Sequence, residues 1–342
     1  MGNLDRSEVT VCICGGGSLG HVCAGYLARL GDVRVNVLTR RPDSWTGTMK
    51  LNLPDGAAVE SALNLVSSDP GDVVPAADVV LLCLPGFSIE EMLSSIAGHV
   101  RPGTYVGSVF SSTGFFFTAH RYFGSDVPLW GFQRVPFISR TKEYGLEANL
   151  LGFKPSHNVA VENAPDSESF RLLLEYLFGS PVNLLKNCYE ASFTNSNPIL
   201  HPSRIYTLFR DWKPGVVYDR QFLFYEEWTD EASDLLIRLD AELFSVLARL
   251  DVTEGFLKPI LEYYESTDAP SLTRKIRSIG SFKGILSPMV QIDGGWIPDL
   301  DSRYFTEDFP FGLRFIREKA AELGVPVPVV DEVYRWYEGL GR

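Results

Sequence analysis

The stretch VTVCICGGGSLGHVCAGYLARLG, residues 9–31, limits the fold more than any other part of the chain. An alternating apolar run ends in three glycines. A helical pattern follows at once, with apolar residues at Leu19, Val22, Cys23, Tyr26, Leu27 and Leu30. Gly31 and Asp32 end it, and VRVNVLT at 33–39 reads as a second strand. Strand, glycine turn, helix and strand in this order open a βαβ unit. The nearly all-apolar DVVLLCLP at 78–85 is a third strand, of the kind buried on both faces. SIEEMLSSIAGHV at 88–100 is helical, with Ser88 as a cap, and TYVGSVFS at 104–111 is another strand. The alternation predicts a Rossmann-type, doubly wound parallel sheet through about residue 150. The elements of 45–75 are left unordered.

The pattern changes after about residue 183. Residues 186–211 read as helix with a proline-containing interruption, and 226–251 as a strong amphipathic helix. Shorter helices are expected near 255–266, 271–279, 310–323 and 328–338. The predicted class is α/β plus all-α. An N-terminal Rossmann domain over residues 1–183 is followed by an all-helical second domain over 184–342. A length of 342 residues accommodates both.

A formal net charge of −12 argues against broad binding to nucleic acid or anionic membranes, which needs a positive surface. A few local arginines could still serve an anionic small substrate. Five cysteines, Cys12, Cys14, Cys23, Cys83 and Cys188, are odd in number and mostly in apolar contexts. They read as small core residues in a reducing compartment, not as disulfides or a metal site. The start MGNLDRSEVT shows no secretory leader, and Arg6 breaks the myristoylation pattern. No apolar run nears the ~18 residues of a membrane helix, so the expected location is the cytoplasm.

The turn Gly15-Gly16-Gly17-Ser18-Leu19-Gly20 satisfies G-x-G-x-x-G. Gly15 allows the tight turn, Gly17 lets a pyrophosphate approach, and Gly20 lets helix meet strand. The helix-start amides, including those of Ser18 and Leu19, stabilise phosphate charge. A bare structural turn is the competing reading, but the strand–helix–strand context favours a dinucleotide. An NAD site usually carries an acidic residue about 20 positions on. This chain has Thr39-Arg40-Arg41 instead, and arginine pairs well with a 2′-phosphate. The expected cofactor is NADP, with Arg40 first and Arg41 second, and NAD left open. Leu84 and Pro85, after the third strand, read as lining for the nicotinamide ribose or as an ordinary loop.

In the second half, TNSNPILHPSRIY (194–206) places Asn197 and His201 four apart on one helix face. Histidine is the usual proton carrier near neutral pH. DLDSRYFTEDFPFGL (299–313) gathers Arg303, Glu307 and Asp308 beside aromatics. Its plain reading is a capped helix start at Thr306 or Asp308. Its functional reading gives Arg303 to a substrate carboxylate and Asp308 to the histidine.

The GGGSLG turn, the run NPILHP and the stretch RYFTEDFPFGL together resemble the octopine/nopaline (opine) dehydrogenase family along nearly the whole chain. The resemblance implies NAD(P)H-dependent reductive condensation of an α-keto acid with an amino acid. It implies a nucleotide domain joined to a helical opine-dehydrogenase domain. Carried over by position, the catalytic histidine is His201, its partner aspartate Asp308 and the substrate-binding arginine Arg303. Arg140, in GFQRVPFISR, resembles a further substrate arginine, although the surrounding sequence departs from the family's. Asn197 would bond cofactor or substrate. The partners expected are these small molecules, with a homodimer admitted and oligomeric state left open. Two rivals stand beside this reading. One is a 2-dehydropantoate 2-reductase-like ketone reductase, suggested by Lys186, Asn195 and Asn197 in KNCYEASFTNSNP. The other is a cofactor-binding sensor without turnover.

Overall fold

The computed structural model describes residues 9–341. The first eight residues, on which the leader and myristoylation readings rest, lie outside the described residues. The chain divides into two compact units, Met1–Ser192 and Phe193–Arg342.

The first unit runs β1 (Val9–Cys14), α1 (Ser18–Ala28), β2 (Val33–Leu38), β3 (Thr48–Asn52), β4 (Ala58–Ala62), β5 (Leu65–Ser67), α2 (Pro70–Val73) and β6 (Val79–Leu82). It continues with α3 (Ile89–Ile96), β7 (Tyr105–Ser108), α4 (Phe115–Ala119), β8 (Leu129–Phe132), β9 (Phe137–Glu143), β10 (Glu147–Phe153), β11 (His157–Glu162), α5 (Ser167–Phe178), β12 (Val182–Leu184) and α6 (Cys188–Ser192). Eight strands form one sheet in the order β12-β11-β8-β7-β6-β1-β2-β5. Every neighbouring pair is parallel except β8 with β11. Its pleat explains the cysteines. Val9, Val11 and Ile13 pack into the core on one face, while Cys12 and Cys14 pack into the core on the other. The chain leaves β1 toward β2 and β5, then returns to place β6 on the opposite side of β1. That reversal is a topological switch point, where doubly wound sheets form a ligand crevice beyond the strand carboxyl ends. The glycine turn follows β1, and Leu84-Pro85 follows β6.

The segment that periodicity left unordered belongs to a second sheet, β4-β3-β10-β9. It changes the character of α1. The sequence suggests a one-sided apolar stripe, yet Gly20 to Gly25, Leu27 and Ala28 are all buried. The small sheet covers the helix face that the large sheet leaves open. Gly25 permits this, because a Cβ there would lie 2.8 Å from Met49 Cγ.

The second unit holds α7 (Asn197–Phe209), α8 (Asp230–Leu247), α9 (Ile260–Tyr263), α10 (Ala269–Ser278), α11 (Arg303–Thr306), α12 (Arg314–Leu323) and α13 (Pro328–Glu338). A wide helical turn, Phe309–Leu313, leads into α12. The helix expected over 255–266 shrinks to one turn, bracketed by Pro259 and by Glu265 in the left-handed region at φ 49°. One hairpin, β13 (Met289–Ile292) with β14 (Gly295–Pro298), interrupts the helical character around Asp293-Gly294. Helix ends are fixed locally and at a distance. Thr229 caps α8, and Asp268 with Ser271 forms a capping box on α10. Glu242 of α8 accepts from the Val329 and Val330 amides at the start of α13, each at 2.8 Å.

His157 is 3% exposed, and both ring nitrogens lack a hydrogen-bond partner. Its ring sits against Phe132 and Phe178. Burial, helped by Lys154, holds its pKa below the ordinary value. Well above about pH 6.5 the ring is neutral both folded and unfolded, so its titration does not change stability there. Below that, the unfolded chain takes up a proton that the native state resists, so stability falls as pH falls. His157→Leu should therefore lose less stability than the parent between about pH 7 and about pH 5, measured by urea unfolding. An identical loss in both proteins would contradict the assignment.

Candidate active site

In the first unit, the three motif glycines occupy the positions that phosphate-turn sterics demand. Gly15 has φ +124°, and a Cβ there would lie 2.8 Å from the Cys83 carbonyl oxygen and 2.9 Å from Leu84 Cδ2. A Cβ on Gly20 would stand 1.9 Å from the Gly15 carbonyl. Gly17 is exposed, and a Cβ there would meet nothing within 4 Å. The open space beside Gly17 is what an approaching pyrophosphate needs. Gly17 is the N-cap of α1 and offers no side chain. The amides of Ser18, Leu19 and Gly20 precede the first helical bond, from His21 N to Gly17 O at 3.0 Å. This cradle fits the pyrophosphate of a nicotinamide dinucleotide.

The β9–β10 hairpin holds the cradle in shape, a feature the sequence reading did not contain. The Gly145 amide donates to His21 Nε2 at 2.7 Å. Nε2 is thus the acceptor, so Nδ1–H donates to the Gly17 carbonyl at 2.9 Å. Burial, with Arg41 nearby, lowers the His21 pKa and keeps the ring neutral in this role. The Thr141 amide donates to Ser18 Oγ at 3.0 Å. Trp45 stacks on the His21 ring at 4.4 Å between centroids. The local clue is a histidine four residues after Gly17, in reach of that carbonyl on the first helical turn.

At the end of β2, Thr39 is buried and its hydroxyl lies 3.2 Å from the Tyr144 hydroxyl. The Arg41 guanidinium lies 3.8 Å from the centre of the Tyr144 ring. Arg40 is exposed. The sequence ranked Arg40 ahead of Arg41, whereas Arg41 is the one held by an aromatic platform. Pro85 opens a short helical turn after β6. Arg140 is exposed on β9 and donates to the Ser139 carbonyl at 3.0 Å.

In the second unit, two segments 107 positions apart converge. His201 Nδ1 lies 2.8 Å from Asp308 Oδ2. Asp308 sits at the N-cap of the wide turn but spends its carboxylate on the histidine, giving no side-chain cap. His201 Nε2 lies 2.9 Å from the Tyr225 hydroxyl. Tyr304 meets the imidazole edge-on at 4.7 Å, and Phe224 at 5.6 Å. Arg303, at the start of α11, is exposed and makes no ion pair among the described residues. Asn197 is exposed at the start of α7, one turn before His201. Asn195 is occupied elsewhere: its amide donates to Asp240 at 2.9 Å and to the Lys258 carbonyl at 2.7 Å. Tyr225 was missed because nothing local marks it; its approach depends on how the 210–229 loop returns to α7.

The family described as NAD/NADP octopine/nopaline dehydrogenase, alpha-helical domain, matches residues 184–340. Ketopantoate reductase PanE/ApbA matches residues 11–110. An opine dehydrogenase of Haliotis discus hannai is 27% identical over 96% of this chain and 89% of its own. The solved structure of an octopine dehydrogenase with NADH and L-arginine superposes with a TM-score of 0.85 at 26% identity. That alignment covers 97% of this chain and 89% of the other. Its complex with NADH and pyruvate gives 0.84 at 27%, covering 98% and 90%. The class is therefore that of NAD(P)-dependent oxidoreductases built from a Rossmann unit and a helical unit. Within it, residues 184–340 match the octopine/nopaline dehydrogenase alpha-helical domain, and the chain is similar along nearly its whole length to opine dehydrogenases.

Two glycine variants separate folding from cofactor binding. Gly17→Ala should keep the parental melting temperature and lose at least about tenfold in cofactor affinity, since its methyl fills only the phosphate approach. Gly20→Ala should lower the melting temperature, since its methyl has no room. Equal affinity in Gly17→Ala and parent, by fluorescence titration, would reject the cradle.

Proposed function

We propose that this chain joins an α-keto acid to the amino group of an amino acid by reductive condensation, with His201 as the proton carrier. The observation that carries the reading is the His201–Asp308 contact, built from segments 107 positions apart within one unit. An ionised carboxylate only accepts hydrogen bonds, so Nδ1 of His201 carries the proton that Asp308 holds. That fixes the tautomer and stabilises the imidazolium when it forms.

The reaction asks for a base and then an acid. The amino acid's ammonium loses a proton before its nitrogen attacks the keto carbon. The resulting carbinol oxygen gains a proton and leaves as water, forming the carbon–nitrogen double bond. His201 accepts the first proton and returns the second. Arg303, with its exposed fork of donors, holds a substrate carboxylate, so that positioning supplies part of the rate. Asn197 and Arg140 are further polar contacts in this reading. Gly15, Gly17, Ser18, Leu19 and Gly20 hold the cofactor pyrophosphate, and Leu84 and Pro85 its nicotinamide ribose. When bound, the reduced nicotinamide supplies the hydride to the imine carbon. A ketone reductase without amine condensation is disfavoured, because Asn195 is committed to Asp240 and Lys258.

We assign the 2′-phosphate of NADP to Arg41, steadied by Tyr144, with Arg40 beside it. No carboxylate competes within Thr39-Arg40-Arg41. Arg41→Ala should lower kcat/KM for NADPH by about 10- to 100-fold, the scale of one lost bond to a charged group, and barely change that for NADH. Equal losses with both cofactors, or a parental preference for NADH, would overturn the NADP assignment. His201→Asn should abolish most turnover while cofactor affinity stays parental; normal turnover would exclude the proton-carrier role.

A further inference from the structure

Both ring nitrogens of His201 are engaged inside the protein. Nδ1 donates to Asp308, so in the neutral ring Nε2 is the acceptor, and the Tyr225 hydroxyl donates to it at 2.9 Å. No ring nitrogen is left to meet a substrate. The usual escape would be rotation of the tyrosine away from the ring, and the surroundings oppose it. Tyr225 is 5% exposed, and its ring stacks on Phe282 at 4.0 Å and 16°. Trp228 lies parallel on it at 6.2 Å and 9°.

The backbone is clamped as well. Arg204 stands one turn after His201 on α7 and is 3% exposed. Its Nε donates to the Phe224 carbonyl at 3.0 Å, and a terminal nitrogen donates to the Glu227 carbonyl at 2.7 Å. Burial lowers the Arg204 pKa to about 10, which still leaves it a cation at neutral pH. One helix therefore carries both the imidazole and the clamp that sets the hydroxyl against it. Burial also raises the Tyr225 pKa, so the phenol stays protonated.

The geometry points to Tyr225 as a proton relay between His201 and the substrate, an inference that rests on the function proposed above. A hydroxyl suits both halves of the cycle, since it donates to neutral imidazole and accepts from imidazolium. In the acid step, the Nε2 proton passes to the Tyr225 oxygen while the hydroxyl's own proton passes to the carbinol oxygen. The carbon–oxygen bond then breaks, water leaves, and His201 is neutral again. In the base step the two transfers run in reverse, and the substrate ammonium supplies the proton. Tyr225 gains one proton as it gives up another and ends each step unchanged.

The test is the single-turnover rate of Tyr225→Phe, which keeps the stacked ring and removes only the oxygen. The rate should fall by about 100-fold, at the lower end of what general acid–base groups contribute, with KM for both substrates little changed. Measured across mixtures of light and heavy water, the parent's rate should curve with deuterium fraction because two protons move together. The variant's residual rate should lose that curvature. A parental rate, or a slower rate with the parental curvature, would overturn the relay. So would a loss seen in KM alone, which marks a packing role. His201→Asn in the same assay separates the two proposals. If the parent itself joins no keto acid to an amino acid, the function fails; if His201→Asn turns over normally, its proton-carrier role fails; if it is inactive while Tyr225→Phe is not, only the relay fails.

Discussion

The proposed chemistry depends on one ring with two nitrogens. An aspartate that would ordinarily cap the helical turn it begins instead accepts the hydrogen bond of His201 Nδ1. That choice fixes which nitrogen can exchange a proton and leaves the second to Tyr225. The surrounding features follow as support. Arg204 fixes the backbone on both sides of Tyr225, while Tyr304 and Phe224 wall the imidazole edge-on. A buried arginine donating only to carbonyls is expensive to desolvate. Its presence shows how strongly the loop's position is specified.

The phosphate cradle obeys a different constraint. Its glycines create room, but room alone does not hold a shape. The shape is held by a neutral histidine buried between the turn and a hairpin from the second sheet. The same hairpin carries Tyr144, which orders both Thr39 and Arg41. Thus an insertion outside the parallel sheet both covers α1 and organises the end of β2.

Much of this was legible in the chain. The glycine turn, the buried apolar strands and the long helix near 226–251 depend on local spacing, and local spacing is what a sequence displays. His201 and Asp308 were legible because their neighbours, NPILHP and RYFTEDFPFGL, form recognisable stretches. The small antiparallel sheet was not, because its strands are short and pair across β3 and β10, about 100 positions apart. That sheet also explains why α1 reads as one-sided in sequence yet is buried all round. Small residues such as Gly20, Ala24 and Gly25 signal close packing, but they do not say against what. Tyr225 and Arg204 could be read only after the loop between α7 and α8 had folded back. The helix over 255–266 failed for a local reason, since Pro259 and the left-handed Glu265 break it.

The most direct measurement uses NADPH deuterated at the transferred C4 position, mixed with an α-keto acid, an amino acid and the enzyme. The account requires the label in a single secondary amine, bonded to the former keto carbon, with the mass of both substrates less one water plus the transferred deuterium and one proton. Label found instead in a 2-hydroxy acid, with the amino acid untouched, would contradict it.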